Sequence, residues 1–400
     1  HPRNRWSLMI PRSAPATVSL TALGLAALVA LTGCVPNATS AAGSTELTVD
    51  SSADACTVSA AEAPSGTISF VVTNSGDQVT EFYLLGDDGL RIVGEAENIG
   101  PGISRTLVVH ASAGDYFTVC KPGMVGAGVG KAAFTVTDSG TPVTLGDDLS
   151  AQIDTANANY KAYVKDQVEN LVTGTESFAA AYIAGDDDAA RAQYAPTRVF
   201  WERIETVAES FGDLDPRMDL READLEEGQD WTGWHAIEKD LWPAEAEPGF
   251  QPYDQTKREA LATQLVDDTH TLYADVEQLE FTLAQQTNGA IGLLDEVASG
   301  KVTGEEEFWS HTDLWDFQAN IDGARVLYEG VRDILTVKDA ALADRLDAEF
   351  DALQVLLDEQ RVGDGFRLYT ELEAAQVRAL SDQVNALAEP LSKLTAALVL

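Results

Sequence analysis

The chain has 400 residues, 45% of them hydrophobic, enough for two or three domains with real cores, which excludes a disordered protein. Lys and Arg number 26 against 65 Asp and Glu, a formal charge of −39. Such a surface repels nucleic acid and anionic lipid headgroups and attracts cations, so no nucleic-acid partner is expected.

Arg3, Arg5 and Arg12 precede an apolar run over residues 14–31, which ends in Leu31-Thr32-Gly33-Cys34. A basic stretch, an apolar run and small residues before a break read as a secretory signal over 1–33. Cys34 sits where a bacterial lipobox places its lipidated cysteine. Met9 is an alternative start, since the stretch from it to Cys34 is a complete signal alone. The competing reading is a membrane anchor, because about 18–20 apolar residues just span a bilayer. Residues 1–33 hold three Arg and no acid, so their removal takes the charge from −39 to −42. The expected location is the extracytoplasmic face of the cell membrane, held by lipid. Thiols oxidise there, and Cys56 and Cys120 remain.

Residues 34–45 are small and polar and read as a tether. Residues 46–137 carry short alternating runs such as "GTISFVVTNS", separated by Gly, Pro, Asn and Asp, which predicts a β-sandwich. Residues 138–148 read as a linker. In an exported sandwich Cys56 and Cys120 suit a disulfide. A blue-copper site needs two His, one Cys and a weak axial ligand, but His110 is the one His between 35 and 150. Met124, four residues after Cys120, suits an axial ligand and equally an ordinary loop residue.

From residue 149 to 400 the period becomes helical, with segments near 156–184, 189–211, 253–286, 310–337, 340–361 and 369–398. Pro196 fits the first turn of a helix starting there. Ser310 and Asp313 make a capping pair. Short breaks between segments predict an antiparallel bundle.

Within this region "GWHAIEKDLW" places His235 and Glu238 on one helical face with Trp231 and Trp242, beside a Trp234–Ile237–Leu241 stripe. An i, i+3 pair of Glu and His can chelate an ion inside a bundle, although the di-iron order is Glu-x-x-His. A surface ion pair or a buried, hydrogen-bonded His fits the same spacing. Glu202, Glu205 and Glu209 share a face, with Glu209 read as solvated. Asp313, Asp316 and Asn320 hug an apolar stripe, and buried polar groups there need partners. A zincin needs His-Glu-x-x-His, which is absent; a two-His zinc site would need His270 or His311 to meet His235. One His with several carboxylates suits iron, manganese or zinc better than copper(I).

The runs "YAPTRVFWERIE", "GWHAIEKDLW" and "SHTDLWDFQANIDGA" together resemble the imelysin-like helical domain, more closely that of the EfeO family of iron-uptake components. The runs around Cys56, Glu81 and Cys120 resemble the cupredoxin-like domain that precedes it. This implies a multidomain fold, a cupredoxin-like sandwich followed by an imelysin-like helical bundle. It also implies an iron-binding lipoprotein, not an enzyme, that delivers Fe2+ or Fe3+ to a membrane iron permease beside an extracytoplasmic haem peroxidase. The resemblance puts the metal motif on His235 and Glu238, with Glu202, Glu205 and Asp316 as further ligands. It suggests Cys56, Glu81, Glu97 and Cys120 as a copper or iron site in the sandwich. Zinc is a plausible substitute for iron in the helical site. The family's peptidase label gives a rival, a metallopeptidase on the same site; a polysaccharide-binding or structural lipoprotein is another.

Overall fold

Alternation in "GTISFVVTN" buries Ile68, Phe70 and Val72 on one face of a strand, and this face is half of a sandwich core. The computed structural model describes residues 45–124, 126–140, 149–299 and 301–399. The expected signal, Cys34, nearly all of the tether and residues 141–148 of the linker lie outside them.

Nine strands form the sandwich: β1 (Thr45–Ser51), β2 (Cys56–Val58), β3 (Glu62–Pro64), β4 (Gly66–Asn74), β5 (Thr80–Leu85), β6 (Ile92–Ile99), β7 (Ser104–Ala111), β8 (Gly114–Cys120) and β9 (Val129–Thr137). One sheet runs β2-β1-β4-β7 and the other β3-β9-β8-β5-β6. Phe70 meets Phe82 and Phe134 across the core at 5.2 and 5.6 Å between ring centroids.

The helical layer comprises α1 (Leu149–Ile183), α2 (Asp187–Glu202), α3 (Leu214–Asp219), α4 (Trp234–Leu241), α5 (Gln255–Val276), α6 (Leu283–Ser299), α7 (Asp313–Lys338), α8 (Ala340–Asp358), α9 (Ala374–Leu391) and α10 (Leu394–Val399). Four boundaries differ from the sequence reading. Pro196 lies inside α2, because the Asp186 side chain caps Ala189 N ten residues earlier and starts the helix there. The 189–211 segment stops being α-helical after Glu202 and continues as a tighter 3-10 turn over Glu205–Phe211. The 253–286 segment is two helices, since Thr282 and Gln285 cap α6 reciprocally, Thr282 N donating at 3.1 Å and Gln285 N at 3.3 Å. Helix α7 starts after Thr312, so Ser310 and Asp313 form no capping pair; the Asp313 carboxylate instead accepts from Glu307 N at 3.1 Å.

Sandwich and bundle share one core. Strand β5 is buried on both faces. Phe82 and Leu84 point into the sandwich, whereas Tyr83, Leu85, Ile92 and Val119 join the core of the helical layer beside Gln167 and Asn170 of α1 and Phe200 of α2. Ion pairs ring this joint. Lys121 Nζ donates to Asp166 and, at 2.9 Å, to Glu169; Lys165 Nζ lies 3.0 Å from Glu97 and 3.6 Å from Glu81.

Glu95 lies at the same joint. Burial, then the charges of Glu97 and Glu81, push its carboxyl up to about 8, against the pull of Lys165 and Lys121. Below pH 4.5 the group is protonated folded or unfolded. Between 4.5 and 8 the unfolded chain releases the proton and the fold keeps it, so stability falls as pH rises. Urea unfolding from pH 5 to 8 is expected to show this decline, and Glu95→Gln to flatten it; an unchanged slope in the variant would refute the assignment.

Candidate metal centre

The helix that carries His235 is held by a backbone contact that tolerates no side chain. Gly233 precedes α4 at φ 85°, and a Cβ there would stand 2.1 Å from the Met218 carbonyl oxygen. This contact seats α4 against α3 and brings His235 beside Asp219. All eight residues of α4 are buried. Trp234 packs on Phe178 and Tyr194 at 5.1 and 5.9 Å, and Asp240 accepts from Tyr182 at 2.7 Å and pairs with Arg258 at 2.7 Å. Trp231 lies before the helix rather than on it and donates to Leu220 O at 2.7 Å.

His235 is buried and offers both ring nitrogens to carboxylates. Nδ1 lies 3.2 Å from Glu238 Oε2; Nε2 lies 3.4 Å from Asp219 Oδ1 and 3.7 Å from Glu306 Oε1. Among the described residues, two groups have ligand atoms close enough to share an ion: Asp219, His235 and Glu306, and His235, Glu238 and Glu307. The other oxygen of Glu238 accepts from Trp309 N at 2.9 Å and Ser310 N at 2.7 Å. The loop that supplies these amides also supplies Glu306 and Glu307, with Ser310 Oγ donating to Glu307 at 3.0 Å.

The cluster buries more negative than positive charge. Glu202, Glu205, Glu238, Glu306, Glu307, Asp313 and Asp316 face Arg198, Lys301 and His235. Burial opposes the imidazolium, yet the hydrogen bond to Glu238 and the close carboxylates of Glu306 and Asp219 raise His235 to about 10. Burial, then the charge of Glu238, raises Glu307 well above the carboxylate range; burial, then the charge of Glu307, does the same to Asp316, and Arg198 opposes both. Burial pushes Asp313 up to about 7. Burial also opposes the charge of Glu306, but Lys301, His235 and Arg198 hold it below that range. Such a centre needs protons or a cation. A cleft of about 710 Å³ leads to it, lined by Asp215, Asp219, Asp224, Glu296 and Glu306, with Arg221 bridging Asp224 at 2.8 Å and Glu306 at 3.5 Å.

Of the residues expected from sequence, His235 and Glu238 meet directly, and Asp316 lies in the same cluster, 3.7 Å from Arg198. Glu202 and Glu205 are adjacent but engaged by Lys301, each at 2.6 Å, because the chain tightens after Glu202 and turns both toward it. The side chain of Glu209 lies outside the described ones. Asn320 is buried and donates to Glu202 and Glu205 at 3.0 and 2.8 Å. Neither remaining helical-layer His reaches His235: His270 pairs with Glu176 at 2.9 Å, and His311 lies 3.8 Å from Glu245. Asp219, Glu306, Glu307 and Lys301 escaped the sequence reading. The acid run "GEEEFW" just before "SHTDLW" was the available signal.

The expected sandwich site is not assembled. Cys56 and Cys120 form a disulfide (S–S 2.04 Å), which leaves neither sulfur as a thiolate ligand. Cys120 pairs with Phe82 in register and both face the sandwich core; Glu81, one residue on, faces the opposite side. There Glu81 accepts from Tyr83 OH at 2.5 Å and shares Lys165 with Glu97. His110, on the solvent side of β7, bonds Thr67 at 3.2 Å, and Met124 follows the turn after Cys120 at φ 60°.

Fold and site together define a cupredoxin-like sandwich joined to an imelysin-type helical layer with a buried His–carboxylate cluster. Residues 156–394 match the family model for imelysin, and residues 24–130 match that for the cupredoxin-like domain. The iron uptake system component EfeO of Escherichia coli K12 is 36% identical over 332 residues, 82% of this chain and 85% of that protein. Those of Shigella flexneri and Shigella sonnei match to the same extent. The chain belongs to the EfeO family of iron-uptake components.

The disulfide is directly testable. Thiol titration of denatured, unreduced protein is expected to find neither Cys56 nor Cys120 free, and reduction to lower the unfolding free energy by about 2–4 kcal/mol. Two reactive thiols at these positions would overturn the pairing.

Proposed function

We propose that the chain is an extracytoplasmic lipoprotein that captures iron as cargo and delivers it to a membrane iron permease. The observation that carries the reading is buried His235, with a carboxylate at each ring nitrogen, next to Asp219 and Glu306, which line an acidic cleft. His235, Glu238, Asp219, Glu306 and Glu307 are the proposed ligands, with Asp316 behind them. One imidazole among oxygen donors suits Fe2+ or Fe3+, with Zn2+ as a substitute. Glu238 is oriented by two backbone amides, so it serves as a fixed ligand. The disulfide argues against copper on the sandwich cysteines.

The N-terminal reading of a lipidated Cys34 supports anchoring at the cell membrane. No helix among the described residues is long and apolar enough to cross a membrane. The permease, and a haem peroxidase acting on ferrous iron, follow from the family resemblance.

Anaerobic calorimetry is expected to show Fe2+ binding that His235→Ala weakens by about 100-fold or more. Binding indifferent to His235 would defeat the reading. Incubation of metal-loaded protein with a peptide library separates the metallopeptidase: the transport reading expects no cleavage, and turnover abolished by Glu238→Gln would replace it with an enzyme.

A further inference from the structure

Lys301 opens a short 3-10 turn (Lys301–Thr303) leading into the loop that bears Glu306 and Glu307. Its side chain is fully buried, and its ammonium lies 2.6 Å from both Glu202 Oε2 and Glu205 Oε2. Asn320 Nδ2 donates to the same two oxygens. The ammonium is also 3.8 Å from Glu306 Oε1, the atom that faces His235 Nε2 at 3.7 Å. A fixed positive charge therefore stands one carboxylate away from the proposed ligands. Burial alone would strip its proton, but Glu202, Glu205 and Glu306 hold it well above the usual lysine range.

We propose that Lys301 is a positioning residue that sets how tightly the centre holds its cation. The ammonium occupies the Glu202–Glu205 pair and offsets charge at Glu306. Without it the ion would meet a fully charged Glu306 and two further bare carboxylates. A unit charge a few ångströms from a divalent ion changes its binding by about tenfold or more, even well screened. A carrier must surrender its cargo, and a built-in counter-charge keeps the centre weak enough to do so. On this reading, which rests on the proposed cation binding, Glu202 and Glu205 neutralise Lys301 rather than ligate the ion.

The test uses the full chain, Zn2+ as an air-stable probe and a competing chelator for affinity and release rate. Wild-type protein that takes up no Zn2+ or Fe2+ refutes the binding reading and this inference with it. Given wild-type binding, Lys301→Met is expected to bind about tenfold tighter or more and to release the ion correspondingly more slowly. Lys301→Arg, which keeps the charge, is expected to stay within about threefold of wild type. A structural role predicts the opposite sign, so a folded Lys301→Met with equal or weaker affinity overturns the proposal.

Because that variant leaves two buried carboxylates bare, a charge-neutral arm accompanies it. Glu205→Gln alone is expected to weaken binding by about tenfold, since Lys301 is then less compensated. The double variant Lys301→Met/Glu205→Gln is expected to return to within about threefold of wild type. Equal affinities in the single and double variants would make Glu205 a ligand and overturn the proposal.

Discussion

An excess of buried carboxylate around one imidazole is the constraint on which the helical layer depends. Ionised carboxylates are costly to bury, and a group left unpaired costs several kcal/mol. The structure meets this cost from several directions. Arg198 reaches Asp219, Glu202 and Glu307 from α2; Lys301 covers Glu202 and Glu205; backbone amides of Trp309 and Ser310 take one oxygen of Glu238. Charge still remains in excess on the side that meets the cleft. That residual imbalance is what the proposed cation would offset.

The sandwich and the bundle are held together by the same kind of chemistry on a smaller scale. Lys121 and Lys165 are flanked by acids from both layers, while Tyr83, Leu85, Ile92 and Val119 supply the apolar contact. The disulfide lies on the other side of the β5–β8 sheet and ties β2 to the end of β8. Its place is inside the sandwich, away from the charged joint.

Much of the fold was legible because its signals are local. Alternation in β4 marked Ile68, Phe70 and Val72, and the i, i+3 spacing put His235 and Glu238 on one turn. The acids Asp219, Glu306 and Glu307 were not legible, because they come from a six-residue helix and an irregular loop without periodicity. Their approach to His235 is a matter of tertiary packing, fixed by Gly233 against Met218 and by the Glu238 amide bonds. Glu202 and Glu205 show the converse case. Helical geometry placed them together correctly in outline, but a lysine almost a hundred residues away claims both. The sandwich site failed for a simpler reason: Glu81 and Cys120 are near each other along the sheet, and strand alternation sends them to opposite faces.

Strand β5 gives the chain an architectural rule. Each of its six residues is buried, and Tyr83 and Leu85 belong to the core of the helical layer rather than to that of the sandwich. The sandwich is therefore not a detachable module. A shortened chain lacking residues 45–137 would uncover the part of α1 around Ala156, Asn159 and Tyr160 that lies beside Ile92 and Val93, and apolar surface exposed in this way drives self-association. A helical layer standing alone would need that surface of α1 to be polar or covered by another element.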